Sequence, residues 1–297
     1  MLTGGDTSGT MPKISETDLI LNKDGSVYHL NLLPKHLSDI IITVGDPGRV
    51  YRVSEHFDDI EFEMNKREYI TQVGTYKGKR ITVISTGMGT DNIEILLTEL
   101  DALVNIDLKT RELKSKKKKL KIIRIGTSGA LQDDVPLDSH LVTDYAVGLD
   151  NLMSFYNLEM NEFEEEIAND LYKKAKLPIV PYVIKGSEML REQFGEGMIV
   201  GNTVTTPGFY APQGRALRTS IKYPALLEEL NYYHNKSSDF WLTNFEMETA
   251  GYYGMARLLG HEVLSVNAII ANRVKNKFSK DPNKVIDALI KKILDRI

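Results

Sequence analysis

The chain alternates short β-branched apolar runs with segments of helical period, and several of the runs end at glycine. In "DIIITVGDPGRVYRVSEHF" (39–57) an apolar run stops at Gly45, turns through "DPG" and continues with a helical pattern. "RITVISTGMGTDNIEILLTELDALV" (80–104) repeats the design. Its strand ends at Ser85, a glycine loop follows, and Asp91 and Glu94 have the spacing of a capping box. "LKIIRIGTSGALQ" (120–132) reads as a buried strand running into "GTSG". Strands alternating with helices predict an α/β sheet. Ligands of such sheets sit beyond the carboxyl ends of the strands, so the three glycine exits are expected to converge on one pocket.

The second half keeps this grammar. "GMIVGNTVTTPGFYAPQGR" (197–215) is a strand leading into an aromatic loop, and "EVLSVNAIIANRV" (262–274) is another buried strand. In "DPNKVIDALIKKILDRI", Asp281 is a candidate N-cap with Pro282 at the first helical position. Val285, Ile286, Leu289, Ile293 and Leu294 then form an apolar face. Between these elements, "TNFEMETAGYYGMARLLG" (243–260) opens a helix that looks buried, yet carries Glu246 and Glu248 at its mouth. Buried carboxylates are costly unless paired. Two residues apart on a helix they would diverge, so they act together only if the helix begins after them. The plainer alternative is that a glutamate in a first turn complements the helix dipole.

Neither a long linker nor a fixed-period repeat interrupts the pattern. A single domain over 16–297 is expected, after a Gly/Thr-rich segment 1–15 expected to be disordered, with Met11 a candidate natural start. The composition narrows the function classes. At 297 residues, 42% hydrophobic and 26% charged, the chain is ordinary for a globular protein. A formal net charge of -4 points away from nucleic acid. The absence of cysteine excludes disulfides and thiolate chemistry and fits a cytoplasmic protein. No apolar run approaches the ~20 residues of a membrane-spanning helix. The lysine run "KSKKKKLK" (114–121) reads as a solvated loop in preference to a phosphate-binding patch.

Chemistry is concentrated at the strand exits. Glycine turns expose backbone N–H groups that cradle anions. Arg49 follows "GDPG", and Arg124 interrupts the apolar strand "KIIRIG", where a buried guanidinium needs an anion. Arg67, in "NKREY", shows no partner in the sequence. "GTSG" is neither a Walker loop nor a dinucleotide fingerprint. In "GFYAPQGR", Gln213 and Arg215 could reach one planar polar edge, as a uracil-like imide offers, with Phe209 stacked on the ring. An ordinary turn over a core phenylalanine is the competing reading.

Eight segments in order, "YHL", "VGDPGR", "KREY", "STGMG", "RIGTSGALQ", "FYAPQGR", "NFEMETAG" and "IIANR", resemble the nucleoside phosphorylase family, and most closely its uridine phosphorylase branch. The resemblance runs from about Tyr28 to the C-terminus. It implies a single α/β domain, phosphorylase/hydrolase-like, with a twisted mixed and barrel-like sheet wrapped by helices. It implies phosphate binding by residues matching Gly45, Arg49, Arg124 and Thr127, joined by Arg67 from a neighbouring subunit. Met247 and Glu248 match the ribose site, with Glu246 beside them. His29 matches a residue that reaches the 5′-hydroxyl across the subunit interface. Phe209, Gln213, Arg215 and Arg273 match the base site. The implied assembly is a homo-oligomer, at least a dimer with shared sites, with dimer against hexamer left open.

The implied reaction is reversible phosphorolysis of uridine, a pentosyl transfer giving uracil and ribose 1-phosphate. Arg124, Glu248 and Arg215 are its expected catalytic residues. Inorganic phosphate is the co-substrate, with no cofactor and no metal. Purine phosphorylases of the family carry an Asp after the late strand, where this chain has Asn272 and Arg273. Related nucleosidases use water and lack the phosphate arginines. In some relatives a potassium ion sits at the dimer interface, held partly by a residue matching Glu68; Asn92 in place of a Ser counts against it here. A non-catalytic nucleoside binder is the alternative of another class, but it would have no need of a phosphate cradle.

Overall fold

The computed structural model describes residues 13–297. The expected Met11 start, and all but the last three residues of the segment 1–15, lie outside the described residues. At its near edge Ile14 donates its N–H to the Arg111 carbonyl at 2.9 Å and packs on the core.

Among the described residues, eleven strands form one mixed sheet. In chain order they are β1 (Ile40–Val44), β2 (Asp59–Lys66), β3 (Tyr69–Tyr76), β4 (Lys79–Ser85), β5 (Lys121–Ala130), β6 (His140–Gly148), β7 (Tyr182–Lys185), β8 (Ile199–Thr205), β9 (Asn244–Glu246), β10 (Glu262–Asn272) and β11 (Lys277–Phe278). β10 pairs with both β5 and β6. The path β10–β6–β8–β9–β5 therefore closes on itself, which makes the barrel-like part of the sheet. From β5 the sheet continues as an open wing, β1–β4–β3–β2, with β1 parallel to both β4 and β5.

The helices are α1 (Pro47–Ser54), α2 (Thr90–Asn105), α3 (Glu162–Lys174), α4 (Glu188–Phe194), α5 (Leu226–Tyr232), α6 (Thr249–Leu259) and α7 (Pro282–Leu294). α7 starts as its sequence requires. Asp281 accepts the Lys284 N–H at 3.1 Å, and Val285, Ile286, Leu289, Ile293 and Leu294 are all buried. They join a core on one side of the sheet with β1, β5 and β10, while α2 and α6 pack into the core on the other side.

Two local expectations are corrected. Asp91 and Glu94 do not form a capping box, because α2 begins at Thr90 with Gly89 as its N-cap. Asp91 is thus already in the first turn, and Glu94 accepts the Tyr156 hydroxyl. "GTSG" is not a loop after a strand but lies within β5, held between β10 and β9. The lysine run lies at the C-terminal end of α2. There Lys114 and Lys117 donate to the Val104 and Asn105 carbonyls at 3.0 and 3.5 Å, and Lys118 pairs with Asp39 at 2.6 Å. It serves the helix end, where cations are favoured.

Candidate active site

The N-termini of α2 and α6 lie close together, and neither is capped in the usual way. Gly89, before α2, has φ 92° and no side chain to offer. The Glu248 carboxylate takes its place, accepting the Gly89 N–H at 2.8 Å. Glu246 does the same for α6. It accepts the N–H groups of Glu248 and Thr249, each at 2.9 Å, and the Thr205 hydroxyl at 2.6 Å. β9 ends at Glu246 and α6 begins at Thr249, so both carboxylates occupy the strand-to-helix turn. Each satisfies donors that a helix end leaves orphaned, and each meets the positive end of a dipole.

Arg124 joins the two glutamates. Its Nη2 lies 2.6 Å from Glu248 and 2.8 Å from Glu246, while Nη1 donates to Asn267 at 3.0 Å and Ser265 at 3.3 Å. All three charged side chains are buried. Burial by itself would lower the pKa of Arg124, but Glu246 and Glu248 outweigh it and hold the guanidinium charged. For Glu248, burial raises the pKa first, Arg124 opposes it, and the net direction is upward. Gly126 leaves room for this arrangement. A Cβ there would stand 2.0 Å from Arg124 Nη1.

Beside this cluster β1 ends, next to the middle of β5 and β10, which run parallel to it. Thr43 of β1 and Ser265 of β10 flank Arg124 in register, which sets Gly45 close to Gly126. A Cβ on Gly45 would stand 3.4 Å from the Gly87 carbonyl of the glycine loop after β4. Arg49, one turn into α1, donates to the Ile125 carbonyl at 3.3 Å, and its buried Nε has no partner. Burial, with Arg124 nearby, pushes its pKa down to about 10. A half-buried cation with an unsatisfied buried donor is stabilised by an incoming anion. Thr127 follows Gly126 on β5 and is partly exposed. Met247, between the glutamates, is also partly exposed.

A second wall comes from the loop after β8. Gln213 is buried; its Nε2 donates to the Thr206 hydroxyl at 2.9 Å and its Oε1 accepts Arg215 Nη1 at 2.5 Å. The Arg215 guanidinium lies 3.7 Å from the centre of the Phe209 ring. One face of Phe209 is covered by Arg215. Arg273 donates to the Gln213 carbonyl at 3.2 Å and lies over Phe245 at 5.5 Å. Burial, with Arg273 adding to it, pushes the Arg215 pKa down to about 10. Burial also lowers that of Arg273. Gln213 reaches the Glu246 carbonyl at 3.5 Å, which links this wall to the carboxylate cluster.

A family profile, the Phosphorylase superfamily, matches residues 39–294. The chain belongs to this superfamily. It is 29% identical over 262 residues to a uridine phosphorylase of Thermococcus kodakarensis, covering 88% of this chain and 83% of that protein. It is also 29% identical over 242 residues to a DeoD-type purine nucleoside phosphorylase of Colwellia psychrerythraea, covering 80% and 84%. Among solved structures it is similar to a Trypanosoma brucei nucleoside phosphorylase, described as showing uridine phosphorylase activity. There the TM-score is 0.86 and the identity 32%, over 94% of this chain and 99% of that one.

In this superfamily member the sequence-derived candidates separate into groups. Gly45, Arg49, Arg124, Thr127, Glu246, Met247 and Glu248 lie around the carboxylate cluster and the end of β1. Phe209, Gln213, Arg215 and Arg273 form the second wall. His29 and Arg67 belong to neither. His29 Nδ1 stands 2.6 Å from Glu99, nine residues beyond Thr90 and so about 14 Å along α2 from the site. Arg67, at the exposed β2–β3 turn with φ 55°, lies 6.0 Å over the Tyr28 ring, next to His29. Sequence reasoning missed Thr205, Thr206, Ser265 and Asn267. Ser265 and Asn267 did leave a signal, two polar residues two apart in the apolar strand "VLSVNAII".

Proposed function

We propose that this chain catalyses the reversible phosphorolysis of uridine to uracil and ribose 1-phosphate. The observation that carries the reading is the juxtaposition of two sites. Arg49 and Arg124, with Glu248, lie beside the end of β1, and Gln213, Arg215 and Arg273 meet them through Glu246. Percent identity does not separate the two relatives named above, one a uridine and one a purine phosphorylase, since both stand at 29%. The second wall does favour one. Where the purine branch carries an Asp after the late strand, this chain has Asn272 and Arg273; Asn272 is buried and engaged with the Gln132 and Val135 carbonyls at 2.9 and 3.1 Å, and neither residue has a carboxylic proton to give.

The mechanism needs no covalent nucleophile. Phosphate lies under the anomeric carbon, oriented by Arg49, Arg124 and the N–H groups around Gly45 and Thr127. Glu248 grips the ribose hydroxyls and Met247 packs on the sugar. Before phosphate arrives, two arginines balance two glutamates. A dianion then leaves the pocket net negative, even with one more arginine added. That field favours the oxocarbenium-like sugar of glycosidic cleavage. Gln213 and Arg215, with Arg273 behind them, stabilise the departing uracil anion, as an oxyanion site does. No cofactor enters this reading.

The site is completed by a second copy of the chain. His29 and Arg67 share one edge with Tyr28, away from their own Glu248, and they are the two residues expected to enter a neighbour's pocket. The test is product analysis. Incubation with uridine and phosphate should yield equimolar uracil and ribose 1-phosphate. Free ribose in place of the phosphate ester would mean a nucleosidase, and binding with no products a sensor.

A further inference from the structure

We propose that Thr206 is the specificity-positioning residue of the base site. It locks the amide of Gln213 in one sense, so that the site demands an N–H, and rejects a lone pair, at base N3. The inference rests on the pyrimidine reading of that wall.

Thr206 is buried at the end of β8, and its own N–H bonds the Glu246 carbonyl at 2.9 Å. Its Oγ1 lies 3.0 Å from the Gly208 carbonyl and 3.2 Å from that of Glu246. Carbonyls only accept, so the single hydroxyl proton goes to one of them. The lone pairs of Oγ1 then face Gln213, and the atom 2.9 Å away must be the donating Nε2. The other end of the amide gives the same answer independently. A guanidinium only donates, so the atom 2.5 Å from Arg215 Nη1 must be Oε1.

One amide hydrogen is thus anchored on Thr206. The second has only the 3.5 Å approach to the Glu246 carbonyl, and Oε1 keeps a second lone pair. The free edge of Gln213 is one acceptor and one donor in fixed order. That edge pairs with the N3–H and the 4-carbonyl of uracil. Cytosine puts a lone pair at N3, against Oε1, and an amino group against Nε2. Were the amide free to turn over, Nε2 would meet the cytosine lone pair and Oε1 its amino group, and the penalty would shrink.

The experiment compares Thr206→Val, which keeps the shape without the hydroxyl, with Thr206→Ser, which keeps the hydroxyl. Uracil and cytosine affinities are measured by titration calorimetry in phosphate, alongside uridine turnover and inhibition by cytidine. Thermal melting checks that each variant folds. In Thr206→Val the preference for uracil over cytosine should fall about tenfold, the worth of roughly one hydrogen bond. Thr206→Ser should stay near the wild type. An unchanged preference in folded Thr206→Val overturns the proposal and leaves uridine phosphorolysis standing. If the wild-type protein binds uracil but does not turn uridine over, phosphorolysis fails while the calorimetric comparison still decides the role of Thr206. If it binds neither base, both readings fall.

Discussion

Arg124 Nη2 stands 2.6 Å from Glu248 Oε2, so the cation placed for phosphate and the carboxylate placed for ribose are in direct contact. The pair sits at the meeting point of β5 and α6. It explains how two glutamates are tolerated in a buried turn. It also means that neither residue can be changed without altering the charge on the other.

Arg124→Ala should lose at least about 10²-fold in turnover, as removal of a charge-stabilising donor does. It should also destabilise the fold by roughly 3–5 kcal/mol, since Glu246 and Glu248 are left buried without their cation. The double variant Arg124→Ala/Glu248→Gln should regain part of that stability and none of the activity. Chemical denaturation and uridine assays on the same samples check this. Full stability in Arg124→Ala would contradict the coupling.

The pH dependence follows from Glu248, whose pKa lies above its ordinary 4.5, with burial the first cause. In the window between 4.5 and the raised value, the folded state keeps a proton that the unfolded state has lost. Stability contributed by this group therefore falls as pH rises through the window, then levels off. Activity should rise over the same window, because the ionised carboxylate binds the ribose. Glu248→Gln should abolish the acid limb of the rate profile. A profile flat down to pH 4.5 would contradict the role.

Much of this site was legible in the chain, for identifiable reasons. Arg124 showed because a guanidinium inside "KIIRIG" breaks a buried period. Glu246 and Glu248 showed because carboxylates beside an apolar helix need partners. The partners themselves did not show. Arg124 reaches Glu248 across 124 residues, and Thr205 reaches Glu246 across 41, through strand pairings that no local pattern encodes. The capping box at Asp91 failed because Gly89 starts α2 and borrows its cap from Glu248, a tertiary contact. The strand closure through β10 was equally hidden, since it depends on one strand pairing on both sides.

Glu246 and Glu248 should separate experimentally. Every approach to Glu246 is taken by Thr205, Thr249, Glu248 and Arg124, so its role is to brace α6. Glu246→Gln should lower stability by about 1 kcal/mol, as the loss of a helix cap does, with a smaller effect on the uridine KM than Glu248→Gln. Thermal melts and steady-state kinetics measure both. A larger KM effect from Glu246 would place it on the ribose instead.

The shared site predicts complementation between subunits. His29→Ala and Glu248→Gln should each be nearly inactive. Mixed by co-refolding as dimers, they should recover about one quarter of wild-type activity, because half of the random dimers carry one intact site of two. No recovery would mean that each pocket is complete within its own chain.

The most direct measurement is the initial rate of uridine loss as phosphate is raised from zero, with inosine as the comparison. The rate on uridine should start at zero and saturate with phosphate, while inosine stays at the baseline. Uridine loss that does not depend on phosphate, or inosine consumed as fast as uridine, would contradict the account.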